Sequence, residues 1–565
     1  MVKLTMMTVG MQKRIALVLF LLIALSYQAF SQIAPNKYFI QFTDKNNSSY
    51  SLDHPEAFLT ARALTRRQAH GIAVEENDIP VNSTYVQEVI KYGAHVLTRS
   101  RWMNGVTIFS NDTAAIDSIE NLPFVKRTIS FKEGVHKQKV FFKNETSHKR
   151  PPTHYKTTSV TEKEYGAALT QIKQIDGIPL QQKGFRGQGM VIAILDAGYT
   201  DVPTQALFDS LRDEGRLLGT KNFVLPGGSV YVHYHGRMVL SCMAADIPGE
   251  MIGTAPKASY WLLVSEDASS ENVIEEYNWV SAAEFADSVG ADIINSSLGY
   301  IDFDDSTYSH PYSDMDGKTN VSTLGAEIAA SKGILVVNSA GNNGQSVTFP
   351  WIGAPADGDS VFTIGAVDSS GMRAVFSSVG PTYDGRIKPT VMAMGQDATV
   401  ANADSGVVFA NGTSFSSPIM AGMSACLWQA HPQASNMQII QALKETASYH
   451  SDPNNQMGWG IPDFAKADSL LALGLGIRPF SKRTLLQIYP NPFRSAFQIR
   501  LQGIRGDLNI QLYDLSGRMV YQKVYNKGSF STSLRIKGLN WLNPGIYMLK
   551  AIDAQHVFYG KIVKE

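Results

Sequence analysis

Two stretches of the chain run apolar without interruption and then break on polar and glycine residues. Met190 to Leu195 ends in Asp196-Ala197-Gly198, and Ile334 to Val337 ends in Asn338-Ser339-Ala340-Gly341-Asn342-Asn343-Gly344. Continuous apolar runs of this length read as parallel strands buried on both faces. Two others follow a helical period. His235-Gly236 opens an apolar stretch that continues to Ala245, and Asn411-Gly412-Thr413-Ser414-Phe415-Ser416-Ser417-Pro418 precedes a helical run from Ile419 to His431. Pro418 is expected in the first turn of that helix, where a missing N–H is harmless. Buried strands alternating with helices predict an α/β domain, here residues 165–472.

The pattern changes on both sides of that domain. Residues 32–131 alternate strand-like pieces (Lys37 to Phe42, Ala94 to Thr98, Gly105 to Phe109, Val125 to Ser130) with helix-like pieces (Pro55 to Ala69, Asn82 to Tyr92, Thr113 to Glu120), which predicts a small α+β domain. Residues 132–164 are polar, basic and carry Pro151-Pro152, and read as an exposed linker. A second linker covers 473–484. Residues 485–565 alternate in short runs broken by turns (Phe497 to Leu501, Leu508 to Tyr513, Met519 to Val524, Gly545 to Ile552, Val557 to Val563), the pattern of an all-β sandwich. At the other end, Lys3, Lys13 and Arg14 precede an apolar stretch from Ile15 to Leu25 and a small-x-small site at Ala29-Phe30-Ser31. Residues 1–31 therefore read as a signal peptide, with an apolar run too short to favour a membrane span.

Composition narrows the partners. The 50 Lys and Arg balance the 50 Asp and Glu, so bulk charge points to neither nucleic acid nor anionic membrane. The two cysteines, Cys242 and Cys426, lie in apolar helical runs and read as buried thiols; a disulfide between them is left open by the sequence. Asp302, Asp304, Asp305, Asp314 and Asp316 fall within Ile301 to Lys318. That stretch reads as a solvated acidic loop, with a structural calcium site as the other reading. No cofactor is implied.

Three side chains carry candidate chemistry. Ser414 sits on a lean Gly-Thr-Ser turn before a helix, whose N-terminal N–H groups point at developing negative charge. Singly, Asp196 is a strand-end turn residue, His235 a helix cap and Ser414 one more turn serine. Together they are the types that nucleophilic catalysis requires: a hydroxyl, a neutral imidazole to take its proton, and a carboxylate to orient the ring. Asn342 is placed to donate its side-chain amide to an oxyanion, with the Ser414 backbone N–H as second donor. His233 is the alternative base.

The order Asp, His, Ser is that of subtilisin, and from about Tyr165 to Ala472 the chain resembles the subtilisin-like serine proteases (subtilases). The resemblance is carried by V-I-A-I-L-D-A-G around Asp196, H-G-R-M-V from His235, G-T-A-P-K-A-S from Gly253 and A-D-I-I-N-S-S-L-G from Ala291. It continues with S-A-G-N-N-G from Ser339, F-S-S-V-G-P-T-Y-D-G-R-I-K-P from Phe376 and N-G-T-S-F-S-S-P from Asn411. It implies a mostly parallel sheet flanked by helices, a triad of Asp196, His235 and Ser414, Asn342 as oxyanion donor, and Ser297-Leu298-Gly299 lying along an extended peptide substrate. Two departures matter. Ala197 stands where the family usually has a Ser or Thr beside the Asp, and Arg237 adds a bulky charge after the His. Residues 32–131 resemble a propeptide that would inhibit the enzyme until cut, with the maturation cut in 132–164. Residues 485–565, through Tyr489-Pro490-Asn491-Pro492-Phe493, Tyr513-Asp514-Leu515-Ser516-Gly517-Arg518 and Leu542-Asn543-Pro544-Gly545-Ile546-Tyr547, resemble the C-terminal sorting domain of type IX secretion cargo. The implied protein is a secreted or cell-surface endopeptidase of a Gram-negative bacterium. Its implied partners are protein or peptide substrates, its own propeptide and the type IX machinery. A catalytically idle subtilase scaffold used for binding is the rival.

Overall fold

A computed structural model describes residues 36–131, 147–148, 160–403, 406–473, 487–500, 507–514, 518–526, 533–553 and 557–565. The signal-peptide reading at 1–31 and most of both linkers lie outside the described residues. The chain forms two compact units, residues 1–477 and 478–565.

The first unit contains two sheets that matter here. Strands β1 (Lys37–Phe42), β2 (His95–Ser100), β3 (Gly105–Phe109) and β4 (Val125–Phe131) form an antiparallel sheet in the order β2-β3-β1-β4. Alternation along β1 explains its two faces. Ile40 and Phe42 pack with Val86 and Val89 of helix α2 (Ser83–Lys91) and with Ile116 and Ile119 of α3 (Thr113–Glu120). Phe39 points the other way, its ring 4.5 Å from that of Tyr277. Helix α1 (Ala61–Ala69) is shorter than the sequence pattern predicts. Thr60 accepts a hydrogen bond from Ala63 N–H and starts the helix there, after a separate turn at Pro55–Ala57.

The larger sheet has seven parallel strands: β6 (Val191–Asp196), β7 (Leu217–Asn222), β8 (Ser259–Val264), β9 (Ile293–Ser296), β10 (Leu335–Ser339), β11 (Phe362–Val367) and β12 (Val391–Met394), in the order β12-β11-β10-β9-β6-β8-β7. Both faces are covered, which is why β6 reads as one apolar run. Ile192 and Ile194 join Val239 and Met243 of α4 (His235–Ala244) and Phe415, Ile419 and Met423 of α7 (Thr413–Ala430). Val191, Ala193 and Leu195 join Trp279 and Val280 of α5 (Ile274–Val289) and Ala326 and Ala329 of α6 (Val321–Ser331). Strand order reverses at β6: the chain builds outward to β7 and β8 on one side, then to β9 through β12 on the other. The carboxyl ends of β6 and β9 therefore flank a topological switch point, where open α/β sheets bind ligands.

Helix α7 begins at Thr413, earlier than the sequence pattern predicts, so Pro418 lies inside the helix and not in its first turn. Part of the stretch read as an exposed linker is also ordered. Ser147–His148 forms β5, paired antiparallel with β14 (Val407–Ala410), which in turn pairs with β13 (Ala398–Ala401). Two residues of extended chain carry too little periodicity to be seen in sequence; the partner strand creates them.

The second unit packs two antiparallel sheets. One has β15 (Gln487–Tyr489), β16 (Phe497–Arg500) and β19 (Ser533–Ile536) in the order β15-β16-β19. The other has β17 (Leu508–Tyr513), β18 (Met519–Tyr525), β20 (Gly545–Ile552) and β21 (Val557–Lys564) in the order β18-β17-β20-β21. Phe497, Ile499, Leu534 and Ile536 of the first sheet meet Leu508, Ile510, Leu512 and Leu549 of the second in one core. Among the described residues of the chain, no helix is long and apolar enough to cross a membrane.

Cys242 on α4 and Cys426 on α7 are free and buried, and burial pushes both thiol pKa values up. The native protein should give no colour with Ellman's reagent, and the denatured protein two thiols per chain. A denatured count of zero would indicate a disulfide instead.

Candidate active site

Asp196 ends β6 at the switch point and is fully buried. Its Oδ1 accepts two hydrogen bonds, from Ala197 N–H at 2.7 Å and from His235 Nδ1 at 2.7 Å. A carboxylate can only accept, so the ring proton belongs on Nδ1, which makes Nε2 the basic nitrogen of the neutral ring. Asp196 Oδ2 is buried with no hydrogen-bond partner among the described residues. The methyl of Ala197 supplies no donor there, the departure noted in the sequence.

His235 is the first residue of α4 and is itself buried. The glycine that follows has a steric reason. A Cβ on Gly236 would lie 2.6 Å from both the Gly198 carbonyl oxygen and the Tyr199 ring. Only a residue without a side chain lets the helix start this close to the turn after β6. Tyr199 braces that turn from below, donating its hydroxyl to the carbonyls of Ile194 and Leu263. Burial, with the Asp196 charge nearby, holds its phenol pKa well above the usual range, so it stays a neutral donor. His233 takes a different part. Its Nδ1 accepts from the His235 backbone N–H at 3.3 Å, whereas Asp196 bonds His235. Arg237 does not crowd the site: its guanidinium is buried and paired with Asp201.

Ser414 is the second residue of α7. Its N–H belongs to the first turn, where backbone donors have no partner within the helix. Its carbonyl is unusual for the opposite reason. The residue four positions on is Pro418, which has no N–H to give it. Ser297, just beyond the end of β9, fills the gap: its hydroxyl donates to the Ser414 carbonyl at 2.9 Å. Asn295 accepts from Ser417 Oγ at 2.9 Å and so ties the same turn of α7 to β9. On the other flank, Asn342 Oδ1 accepts from Thr413 N–H at 2.9 Å and from Thr413 Oγ1 at 3.0 Å, and Gly341 N–H donates to Thr413 Oγ1 at 3.1 Å. With its oxygen held by Thr413, Asn342 has its amide nitrogen as the side-chain donor.

The two halves meet across α4 and α7. The His235 ring lies 6.1 Å, centroid to centroid, from that of Phe415, the neighbour of Ser414. Ser414 Oγ is buried and has no hydrogen-bond partner among the described residues, so no bond to the imidazole is formed in this structure. Such bonds are often long or absent without substrate and tighten when it binds. Of the residues expected along a substrate, Ser297 turns its side chain inward to Ser414. Leu298 is buried, with its carbonyl accepting from Asn338 Nδ2 at 3.0 Å, and Gly299 is exposed. Thr413, Asn295 and the effect of Pro418 were not singled out from sequence, although Thr413 and Pro418 stand within the same motif as Ser414.

Two carboxylates of the Ile301–Lys318 loop accept from their own neighbours, while Asp304 accepts from the Glu271 N–H. Asp305 accepts from Thr307 N–H, and Asp316 from Lys318 and Thr319 N–H. Among the described residues, the acidic group whose oxygens converge, within 4.8 Å of one another, is Glu266, Glu271 and Glu275. Tyr300 donates its hydroxyl to Glu266 at 3.1 Å.

Three segments of the chain match known families. Residues 187–460 match the subtilase family, residues 37–149 a peptidase S8 propeptide domain of Bacteroidota, and residues 487–565 a secretion system C-terminal sorting domain. Subtilisin NAT of Bacillus subtilis subsp. natto is 31% identical over 284 residues, which is 49% of this chain and 65% of that protein, just under two thirds of its length. Subtilisin DY of Bacillus licheniformis is 31% identical, with 92% of its length covered, and subtilisin of Bacillus pumilus 30% identical, with 90% covered. Among solved structures, the prenylagaramide maturation protease PagA matches at 22% identity and a TM-score of 0.41, over 52% of this chain and 98% of that one.

Ser297→Ala would leave the Ser414 carbonyl without a donor. Loss of one such bond is worth about 1 kcal/mol, or roughly fivefold in rate. Sulfonylation of Ser414 by phenylmethanesulfonyl fluoride should slow by that order, and Ser297→Thr should restore it. Equal rates in all three proteins would show that Ser297 does not position Ser414.

Proposed function

The chain belongs to the subtilase family, and on that premise we propose that it is a secreted serine endopeptidase made as a zymogen. The observation that carries the reading is the convergence at one switch point of a buried carboxylate–imidazole pair and a helix-starting serine whose hydroxyl is uncommitted. In the proposed reaction, Ser414 Oγ attacks the scissile carbonyl while His235 Nε2 takes the hydroxyl proton. Asp196 stabilises the resulting imidazolium and holds its tautomer. The oxyanion is received by the Ser414 N–H and the Asn342 amide. His235 then returns the proton to the leaving amine, leaving an acyl-enzyme. Water, deprotonated by the same imidazole, releases the acid and restores the serine. The exposed Gly299 backbone offers an edge along which an extended peptide can lie.

The propeptide match and the position of β5 support the zymogen reading. β5 pairs with Phe409 and Ala410, the strand that leads directly into the Ser414 turn. The chain's own segment between the two domains is thus proposed as the first substrate. The sorting-domain match, with the signal peptide read at residues 1–31, supports export to the outside or surface of a Gram-negative cell by the type IX route.

Ser414→Ala should abolish casein hydrolysis and labelling by a fluorophosphonate probe; unchanged hydrolysis by the purified variant would overturn the assignment. Asn342→Ala should lower kcat by roughly 10²–10³-fold with little change in KM, the magnitude known for a subtilisin side-chain oxyanion donor. Its amide would meet the oxyanion only after attack. An effect on KM alone would reduce Asn342 to its anchoring of Thr413.

The sorting unit has a core of its own, so deleting residues 485–565 should leave an active enzyme trapped in the periplasm of a host with a working type IX system. Fractionation checks this. Normal export of the truncated enzyme would remove the sorting role.

A further inference from the structure

Asp196 ends a strand and His235 begins a helix, so nothing in the local chain sets the 2.7 Å between them. The carboxylate is also held on one side only. Oδ1 takes both donors, Ala197 N–H and His235 Nδ1, while Oδ2 has none among the described residues. A side chain with a hydroxyl at position 197 could have served Oδ2; the methyl of Ala197 cannot. The geometry of the pair therefore depends on what fixes its two donors, the turn after β6 and the first turn of α4.

One residue touches both. Tyr199 is fully buried in the core that α4 shares with the sheet. Its ring lies against Gly236, so close that a Cβ there would be 2.6 Å from a ring carbon. At the far end of the ring, the hydroxyl proton is shared between the carbonyls of Ile194 at 2.7 Å and Leu263 at 3.1 Å, which belong to the neighbouring strands β6 and β8. At the near end, Tyr199 N–H donates to the Val230 carbonyl at 2.9 Å, and Thr200 N–H to the His233 carbonyl at 2.9 Å. These two bonds zip the turn after β6 to the segment that leads into α4. Gly198 completes the fit, since a Cβ on it would lie 2.4 Å from His233 N. The backbone, ring and hydroxyl of a single residue thus reach from the strand that ends in Asp196 to the helix that begins at His235.

We propose that Tyr199 is the positioning residue of the Asp196–His235 pair: its ring is the spacer on which α4 rests, and its hydroxyl fixes that spacer to β6 and β8. The inference rests on the catalytic reading of the pair, and on nothing about the substrate. The tip needs a hydroxyl because Ile194 and Leu263 are fully buried and their carbonyls would otherwise lose a donor. The body needs a ring because a shorter side chain would leave a gap under the first turn of α4, and close-packed cores pass such gaps on as movement. With Oδ2 undonated, the carboxylate has no second anchor to absorb a shift of His235. A small displacement then falls on the one bond between them, and through it on the direction of Nε2, where errors of position are costly. Tyr199 supplies through the backbone and the helix what a hydroxyl beside Asp196 would supply directly.

The pair has a signature that needs no turnover: the proton held between Asp196 and a protonated His235 resonates at low field in a proton NMR spectrum. The full chain carrying Ser414→Ala is compared with the same chain also carrying Tyr199→Phe, which keeps the ring and removes the hydroxyl. With Cys242 and Cys426 still silent to Ellman's reagent, so that the core of α4 and α7 is intact, the resonance should move to higher field and broaden. Gly236→Ala presses on the same ring from the helix side and should displace the resonance too, so a poorly folded Tyr199→Phe does not silence the experiment. In the cleaving enzyme, Tyr199→Phe should lower kcat between roughly fivefold and 100-fold with little change in KM. Adding Ala197→Ser, which offers Oδ2 a donor, should recover part of that loss. A low-field resonance unmoved by Tyr199→Phe would overturn the positioning role, even with kcat reduced. The NMR comparison decides this even where the unsubstituted enzyme cleaves nothing, an outcome that would count against the protease reading alone.

Discussion

A sheet covered by helices on both faces has no room for polar chemistry inside it. The inner strands are paired on both sides, and every side chain of β6 up to Leu195 is apolar and buried. The side chains read here as catalytic therefore gather where strands stop. Asp196, Ser297 and Asn342 all stand at or just past the carboxyl ends of β6, β9 and β10, and the remaining members are brought to them by the first residues of two helices. The site is thus a property of where strands end, and the helices contribute only their beginnings.

Holding a nucleophile at the start of a helix creates a local problem, which the chain solves from outside the helix. Pro418 deprives the Ser414 carbonyl of its partner, and Ser297 supplies one from the neighbouring strand end. Thr413 is held from the opposite flank by Asn342 and Gly341. The serine is therefore clamped between two strand ends that also face the reacting carbonyl in the proposed reaction. Positioning and transition-state binding draw on the same few residues.

Much of this was legible in the sequence because it follows from one-dimensional rules. Continuous apolar runs identified the buried strands, and the edges of β3, α3, β17 and β20 coincide with residues read from alternation and turn chemistry alone. The motif residues Asp196 and His235 come together at 2.7 Å as chemistry demanded. What escaped depends on partners distant in sequence. The inward bond of Ser297 could not be read, because nothing local reveals that its hydroxyl is needed by a carbonyl 117 residues away. β15 and β19, only 3 and 4 residues long, fall below the length at which periodicity is visible. The buried bonds of Arg66 and Arg67 carry no local signal either, since Asp287 and the Ala291 carbonyl lie more than 200 residues on.

β5 occupies an edge that would otherwise be open, because β14 has β13 on its other side. An edge strand with unpaired donors and acceptors accepts any extended chain that reaches it. Here the occupant is covalently tethered, so its effective concentration is fixed by the length of the intervening chain and does not fall on dilution. A visiting peptide that uses this edge competes against a local concentration, not against a solute. While the tether holds, crowding that edge with peptide gains less than the peptide's affinity alone would give; only with the tethered segment gone would the same edge revert to an ordinary bimolecular equilibrium.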